Sequence, residues 1–228
     1  MNNKRIRKIY ARIILIFTKH LFRKDDVILQ MNFLAHAFLS FNDKDLLTGN
    51  MISDFVKGKK KYDYPVPIQK GIALHRAIDE FTDCHPVTAK AKEFFRKEYR
   101  LYSGPFVDIV FDHFLALDNA QFSEYDDLKR FTEGTYQQLK MNATYFPFIF
   151  RQMFPYMQSQ NWLYSYRLKE GIEKSFGGLV HRSLYLHESE KAFKIFMENY
   201  AQLGECYSLF FPELKNFARQ KMHELQRE

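Results

Sequence analysis

Gly71-Ile-Ala-Leu-His75-Arg76-Ala-Ile-Asp79-Glu80-Phe81-Thr82-Asp83 is the stretch on which the reading of this chain turns. As a helix it sets His75, Asp79 and Asp83 at intervals of four, rising along one side. Ile68 and Ile72 extend that stripe backwards, so an apolar seam runs into an imidazole and two carboxylates. Burying such groups is costly unless their charge is offset, and a divalent cation would offset it. A second stripe, Leu74, Ile78 and Phe81, can make the core contact by itself. The polar side chains therefore read equally well as surface groups.

Upstream, Asn42-Asp43 offers an N-cap to a helix over residues 45–57 that stops at Gly58. Leu47, Met51 and Asp54 share its inner face, so a carboxylate stands where a hydrophobe is expected. Such a group is paired, protonated or bound to metal. Before it, residues 32–40 form an apolar helical run containing His36. After it, Lys57, Lys59, Lys60 and Lys61 occupy a loop that reaches Pro65 and Pro67. Pro67 opens the helix bearing His75, and Asp83-Cys-His85-Pro86 breaks it.

Downstream, residues 87–102 read as an amphipathic helix and Gly104-Pro105 as a turn. Residues 106–117 follow, with Asp108 and Asp112 on one face. His113 is turned from Asp112 by about 100°, the rotation per helical residue. An Asp-His pair in so apolar a helix is poorly explained by solvation. Beyond residue 120, helices are expected over 126–139, from about 145–150 onward, from 161 to 176, over 190–203 and over 212–226. Gly177-Gly178 is a place for a bend.

Only 9 Gly and 7 Pro occur in 228 residues, and 46% are hydrophobic. Few breakers and long periodic segments indicate an all-α chain rather than a many-turned β fold. The apolar fraction excludes a disordered chain. No repeat or long linker interrupts the pattern, so residues 31–228 are expected to form a single helical domain. Cys84 and Cys206 have no metal-binding spacing and fit a reducing cytoplasm.

Of the net charge of +7, residues 1–30 hold +6, from eight basic residues against Asp25 and Asp26, and the rest of the chain +1. The main body thus carries no nucleic-acid signal. The run Ile13-Ile-Leu-Ile-Phe17 is far short of the roughly 18 to 20 residues needed to span a bilayer. Residues 1–30 make a poor signal peptide and could lie on an anionic membrane surface. The favoured expectation is an extension outside the natural domain, with Met31 as its start, because the organised pattern begins there.

His36, Asp54, His75, Asp79, Asp83, Asp108, Asp112 and His113 all precede residue 120 and sit in helical, largely apolar contexts. Mixed imidazole and carboxylate groups on facing helices suit Mn²⁺, Fe²⁺, Zn²⁺ or Mg²⁺. An ion so held activates water and polarises a phosphoryl oxygen, which makes phosphoester hydrolysis the natural class. Arg76 is placed to contact a phosphate, or serves as a surface cation. A metal-free acid–base set of His36, Asp54 and His75 is the weaker alternative, given the surplus of carboxylates. Nucleophile elbow, Walker loop and dinucleotide fingerprint are all absent from the sequence.

Five blocks occur in order: Met31-Asn-Phe-Leu-Ala-His36; Gly49-Asn50 with Asp54-Phe-Val-Lys-Gly58; Gly71-Ile with Leu74-His75-Arg76 and Ile78-Asp79; Phe81-Thr82-Asp83; and Phe111-Asp112-His113-Phe-Leu115. Together they resemble the acyl carrier protein phosphodiesterase family, most strongly over residues 31–117. The resemblance implies an all-α bundle of orthogonal helices, like the HD-domain phosphohydrolases. It implies Mn²⁺-dependent hydrolysis of the phosphodiester joining 4′-phosphopantetheine to a serine of holo acyl carrier protein. Asp54 then matches a catalytic or metal-linked position. His36, His75, Asp79, Asp112 and His113 match the other polar positions of the metal site. The literal His-Asp dipeptide of the wider superfamily is missing, and Asp112-His113 reverses it. Lys57, Lys59, Lys60 and Lys61 would form a rim that steers an acidic carrier protein. The rival readings are an HD-like hydrolase of a nucleotide or other small phosphoester, and a non-catalytic carrier-protein-binding module.

Overall fold

Asp43 starts the first long packing unit: its Oδ1 accepts the backbone N–H of Asp45 and of Leu46, both at 3.0 Å. That cap satisfies two otherwise orphaned donors at the head of a helix. The structure, a computed structural model, describes residues 33–183 and 185–227. In chain order its helices are α1 (Phe33–Phe38), α2 (Lys44–Ile52), α3 (Val66–Cys84), α4 (Pro86–Tyr99), α5 (Ser103–Ala116), α6 (Asp127–Met141), α7 (Phe148–Ser159), α8 (Trp162–Ser165), α9 (Lys169–Arg182), α10 (Glu190–Glu198) and α11 (Tyr200–Arg227). No strand occurs among the described residues. One apolar core takes side chains from every one of these helices, so the described residues form one all-α domain. The segment 1–30 lies outside them. Among the described residues no helix is long and apolar enough to cross a membrane.

The crossing of α2 and α3 positions the site. Gly49 and Gly71 face each other there. A Cβ on Gly49 would meet Ile68 O at 2.1 Å, and one on Gly71 would meet Leu46 O at 2.3 Å. Only glycine lets the two backbones come this close. Both stripes of α3 are used: Ile68, Ile72, Leu74 and Ile78 are buried, and Phe81 packs against the core. α1 packs on α2 and on α5, and α11 lies along α3 and α4. Large rings fill the rest of the core, among them Phe95, Phe106, Phe150, Phe176, Phe196 and Phe210.

Several local expectations need correction. The helix expected over 45–57 ends at Ile52 and tightens into a 3-10 turn, Ser53–Phe55, closed by Val56 N–H on Ser53 O at 2.9 Å. The lysine segment is a second 3-10 stretch, Gly58–Asp63, rather than an irregular loop; Gly58 takes a positive φ of 57° at its start. Gly104-Pro105 sits inside the first turn of α5, where proline's missing N–H is not needed. Gly177-Gly178 does not interrupt α9, and α11 runs through Pro212. In both cases flanking tertiary packing outweighs weak local propensity.

Candidate metal centre

Four side chains from three elements converge at the α2–α3 crossing. His36 comes from α1, Asp54 from the 3-10 turn after α2, and His75 and Asp79 from successive turns of α3. His36 and His75 are almost fully buried, at 2% and 4% exposure. His75 Nε2 lies 3.2 Å from Asp54 Oδ1 and 3.1 Å from Asp79 Oδ2. His36 Nε2 lies 3.2 Å from Asp79 Oδ1. His36 Nε2 is buried, and this ion-pair approach to Asp79 leaves it without a hydrogen-bond partner. One ligand atom from each of His36, His75 and Asp79 falls within a mutual 4.8 Å.

The other ring nitrogens are already engaged. His36 Nδ1 contacts Asn50 Oδ1 at 2.7 Å, and His75 Nδ1 contacts the Asn50 main-chain oxygen at 2.7 Å. Both partners are acceptors, so each Nδ1 carries a proton and a neutral ring turns the lone pair of its Nε2 inward. Lone pairs of two imidazoles and of two carboxylates then face one another. That arrangement is repulsive unless a proton or a cation sits among them. The donor set and the orphaned His36 Nε2 fit a divalent ion. Without one, a proton takes its place: burial works to lower the His75 pKa, but the Asp54 and Asp79 charges overcome it and raise it to about 10. Burial likewise works to raise Asp79, yet the His75 and His36 imidazoles hold it below the usual carboxylate range.

Asp54 also stands at the C-terminal mouth of α2, where the helix dipole disfavours an anion. A cationic partner offsets that cost. Arg76 is exposed, but its Nη2 donates to Val56 O at 2.9 Å, which ties the guanidinium to the turn bearing Asp54. Lys57, Lys59 and Lys60 are exposed and Lys61 half-buried just beyond that turn. Asp83 is drawn away into an ion pair with Lys92 at 2.7 Å.

Asp112 and His113 are not brought to this group. Asp112 is fully buried, and its two oxygens accept the N–H groups of Leu34 (3.0 Å) and Ala35 (2.8 Å). It caps α1 from a different helix, and so supports His36 without touching it. Burial pushes Asp112 up to about 8 despite those two donors. His113 points elsewhere: Nδ1–H donates to Tyr166 O at 2.6 Å, and Nε2 accepts from Tyr200 Oη at 2.8 Å. It ties α5 to the chain after α8 and to α11. Asp108 is buried near Asp79, and burial, reinforced by the Asp79 charge, raises it well above an ordinary carboxylate.

A family model described as acyl carrier protein phosphodiesterase matches residues 31–214. The chain belongs to the acyl carrier protein phosphodiesterase family. The acyl carrier protein phosphodiesterase of Enterobacter sp. (strain 638) is 32% identical over 84% of this chain and 99% of its own length. Those of Photorhabdus laumondii and Yersinia pestis are each 30% identical over 84% of this chain, covering 96% and 99% of the relatives. No solved structure matches this chain. All four converging side chains fall within the span matched to the family, as do Arg76 and the lysines. So does Asn50, whose part in the site was not anticipated. An amide one turn before Asp54, between Gly49 and Met51-Ile52, was the only sequence signal for it.

Proposed function

We propose that this chain hydrolyses the phosphodiester that joins 4′-phosphopantetheine to a serine of holo acyl carrier protein, releasing apo carrier protein and 4′-phosphopantetheine. The reaction is placed in the cytoplasm, with Mn²⁺ as cofactor, on a fold akin to the HD-domain phosphohydrolases. The observation that carries this reading is the convergence of His36, His75 and Asp79, whose ligand atoms lie within a mutual 4.8 Å with His36 Nε2 buried and lacking a hydrogen-bond partner, in a chain of this family.

His36, His75 and Asp79 would hold the ion, with Asp54 beside it, and the ion when bound supplies Lewis acidity toward a phosphoryl oxygen and acidifies water. Asp54, the member of the group on the turn beside Arg76 and the lysines, takes the proton of the attacking water. Arg76, held on Val56 O, orients the phosphate through its planar donors. The new bond joins the water oxygen to phosphorus, the bond from phosphorus to the serine oxygen breaks, and that oxygen takes up a proton. Lys57, Lys59, Lys60 and Lys61 receive the acidic carrier protein and bring its prosthetic arm over the site.

Incubation with holo carrier protein and Mn²⁺, followed by mass spectrometry of the carrier, tests this. The carrier is expected to lose the whole phosphopantetheine arm. An unchanged carrier alongside hydrolysis of nucleotides or small phosphoesters would replace this substrate with the HD-like alternative.

A further inference from the structure

Asn50 touches both buried imidazoles, and it does so with chemically different atoms. Its side-chain Oδ1 meets His36 Nδ1 and its main-chain oxygen meets His75 Nδ1, each at 2.7 Å. An amide can be turned either way, so the direction of the first contact has to be derived. The other end of the amide decides it. Asn50 Nδ2 lies 2.9 Å from His36 O and 3.1 Å from Ser40 Oγ. His36 O can only accept. The Ser40 hydroxyl spends its proton on that same oxygen at 2.8 Å, so its oxygen accepts as well. Both neighbours on this side need a donor, which fixes the amide nitrogen there and leaves Oδ1 facing His36. His36 Nδ1 must then carry the proton.

We propose that Asn50 is the positioning residue that fixes both histidines as Nδ1–H rings, with Ser40 fixing Asn50 in turn, so that two Nε2 lone pairs are presented together to one divalent ion. The proposal rests on the metal-dependent reading of the site. The two halves of the device differ in how they depend on sequence. The contact to His75 uses a carbonyl that any residue at position 50 would supply. The contact to His36 needs the side chain. Substitution should therefore release one ring and spare the other, an asymmetry that general damage to packing would not produce.

The test combines calorimetric titration with Mn²⁺ and ring ¹H–¹⁵N spectra of protein loaded with diamagnetic Zn²⁺. Wild type should show a protected Nδ1–H on both His36 and His75. Asn50→Leu should lose the His36 signal and keep that of His75, and its Mn²⁺ affinity should fall about 10- to 100-fold, the usual effect of removing such a partner. Asn50→Asp retains an acceptor for His36 Nδ1 and can meet His36 O only by protonating its second oxygen, so it should keep both ring signals and lose less Mn²⁺ affinity than Asn50→Leu. Persistence of the His36 signal and full affinity in Asn50→Leu would overturn the proposal. So would an equal loss in Asn50→Asp and Asn50→Leu. If Asn50→Leu does not fold, the wild-type spectrum still decides: a ring proton on Nε2 of either histidine refutes the assignment. Failure of wild type to take up Mn²⁺ or Zn²⁺ at all would instead refute the metal reading on which the proposal stands.

Discussion

The rings of His36 and His75 stack with centroids 4.0 Å apart and planes inclined by 17°, and their Nε2 atoms address different oxygens of one carboxylate, Asp79. Two stacked imidazolium rings would repel, so the pair accommodates one positive charge between its nitrogens rather than one on each. In the proposed reading that charge is the ion, or in its absence a proton, held against Asp79 and Asp54.

Asp54→Asn removes one charge and almost no volume. Hydrolysis of holo carrier protein should fall at least about 100-fold. The carboxylate is partly exposed, so the loss of folding stability should stay below about 2 kcal/mol. Activity assays and denaturant melts on the same preparation check both. Retained turnover would remove Asp54 from the mechanism.

The metal-free protein should lose stability as pH rises. His75 has a folded-state pKa raised to about 10, against about 6.5 when unfolded. The folded state therefore holds a proton that the unfolded chain releases. Its contribution is fully present below about pH 6.5 and disappears on approach to pH 10. Over the same window metal binding displaces that proton, so Mn²⁺ affinity should climb about tenfold per pH unit. Melts of chelator-treated protein and calorimetry in buffers of differing ionisation enthalpy read the two effects. An affinity independent of pH would contradict them.

Asp112→Asn should separate support from ligation. Asparagine puts an NH2 donor where Asp112 has its second acceptor oxygen, leaving Leu34 N–H or Ala35 N–H unpaired in a buried place. A loss of about 1–3 kcal/mol is expected. Mn²⁺ affinity of the folded variant should change far less than in Asp79→Asn. Comparable losses of affinity in the two variants would make Asp112 a ligand after all.

Gly49→Ala tests whether the close crossing of α2 and α3 makes the site. Its methyl group would meet backbone atoms of Ile68, Gly71 and Ile72, which have no side-chain freedom to yield. A cost of about 1–3 kcal/mol or more is expected from such overpacking. Metal affinity should fall too, because parting the helices draws His75 from the Asn50 carbonyl. Thermal melts and calorimetry report these; an unaffected site would show the spacing to be irrelevant.

Charge reversal at Lys59, Lys60 and Lys61 should lower kcat/KM for holo carrier protein about 10- to 100-fold at low salt, with the difference shrinking as salt screens it. Turnover of a small phosphodiester should be unchanged. Equal loss on both substrates would reject a docking role for the lysines.

The helical class and the pairing of His75 with Asp79 were legible because both depend on periodicity within one helix. Asp54 was legible as a charge in an apolar stripe, although the 3-10 turn that delivers it was not. The roles of Asp112 and His113 could not be read locally. Adjacent residues on a helix point about 100° apart, and what each meets depends on which element packs there: the head of α1 for Asp112, Tyr166 and Tyr200 for His113. Asn50 was hidden for a related reason. Half of its contribution comes from a main-chain oxygen, which side-chain identity does not reveal.

Anomalous diffraction at the manganese edge from Mn²⁺-soaked crystals tests the central claim most directly. A single strong peak is expected within bonding distance of His36 Nε2, His75 Nε2 and Asp79. A crystal that binds Mn²⁺ only elsewhere, with those three side chains still ringing an empty centre, would contradict it.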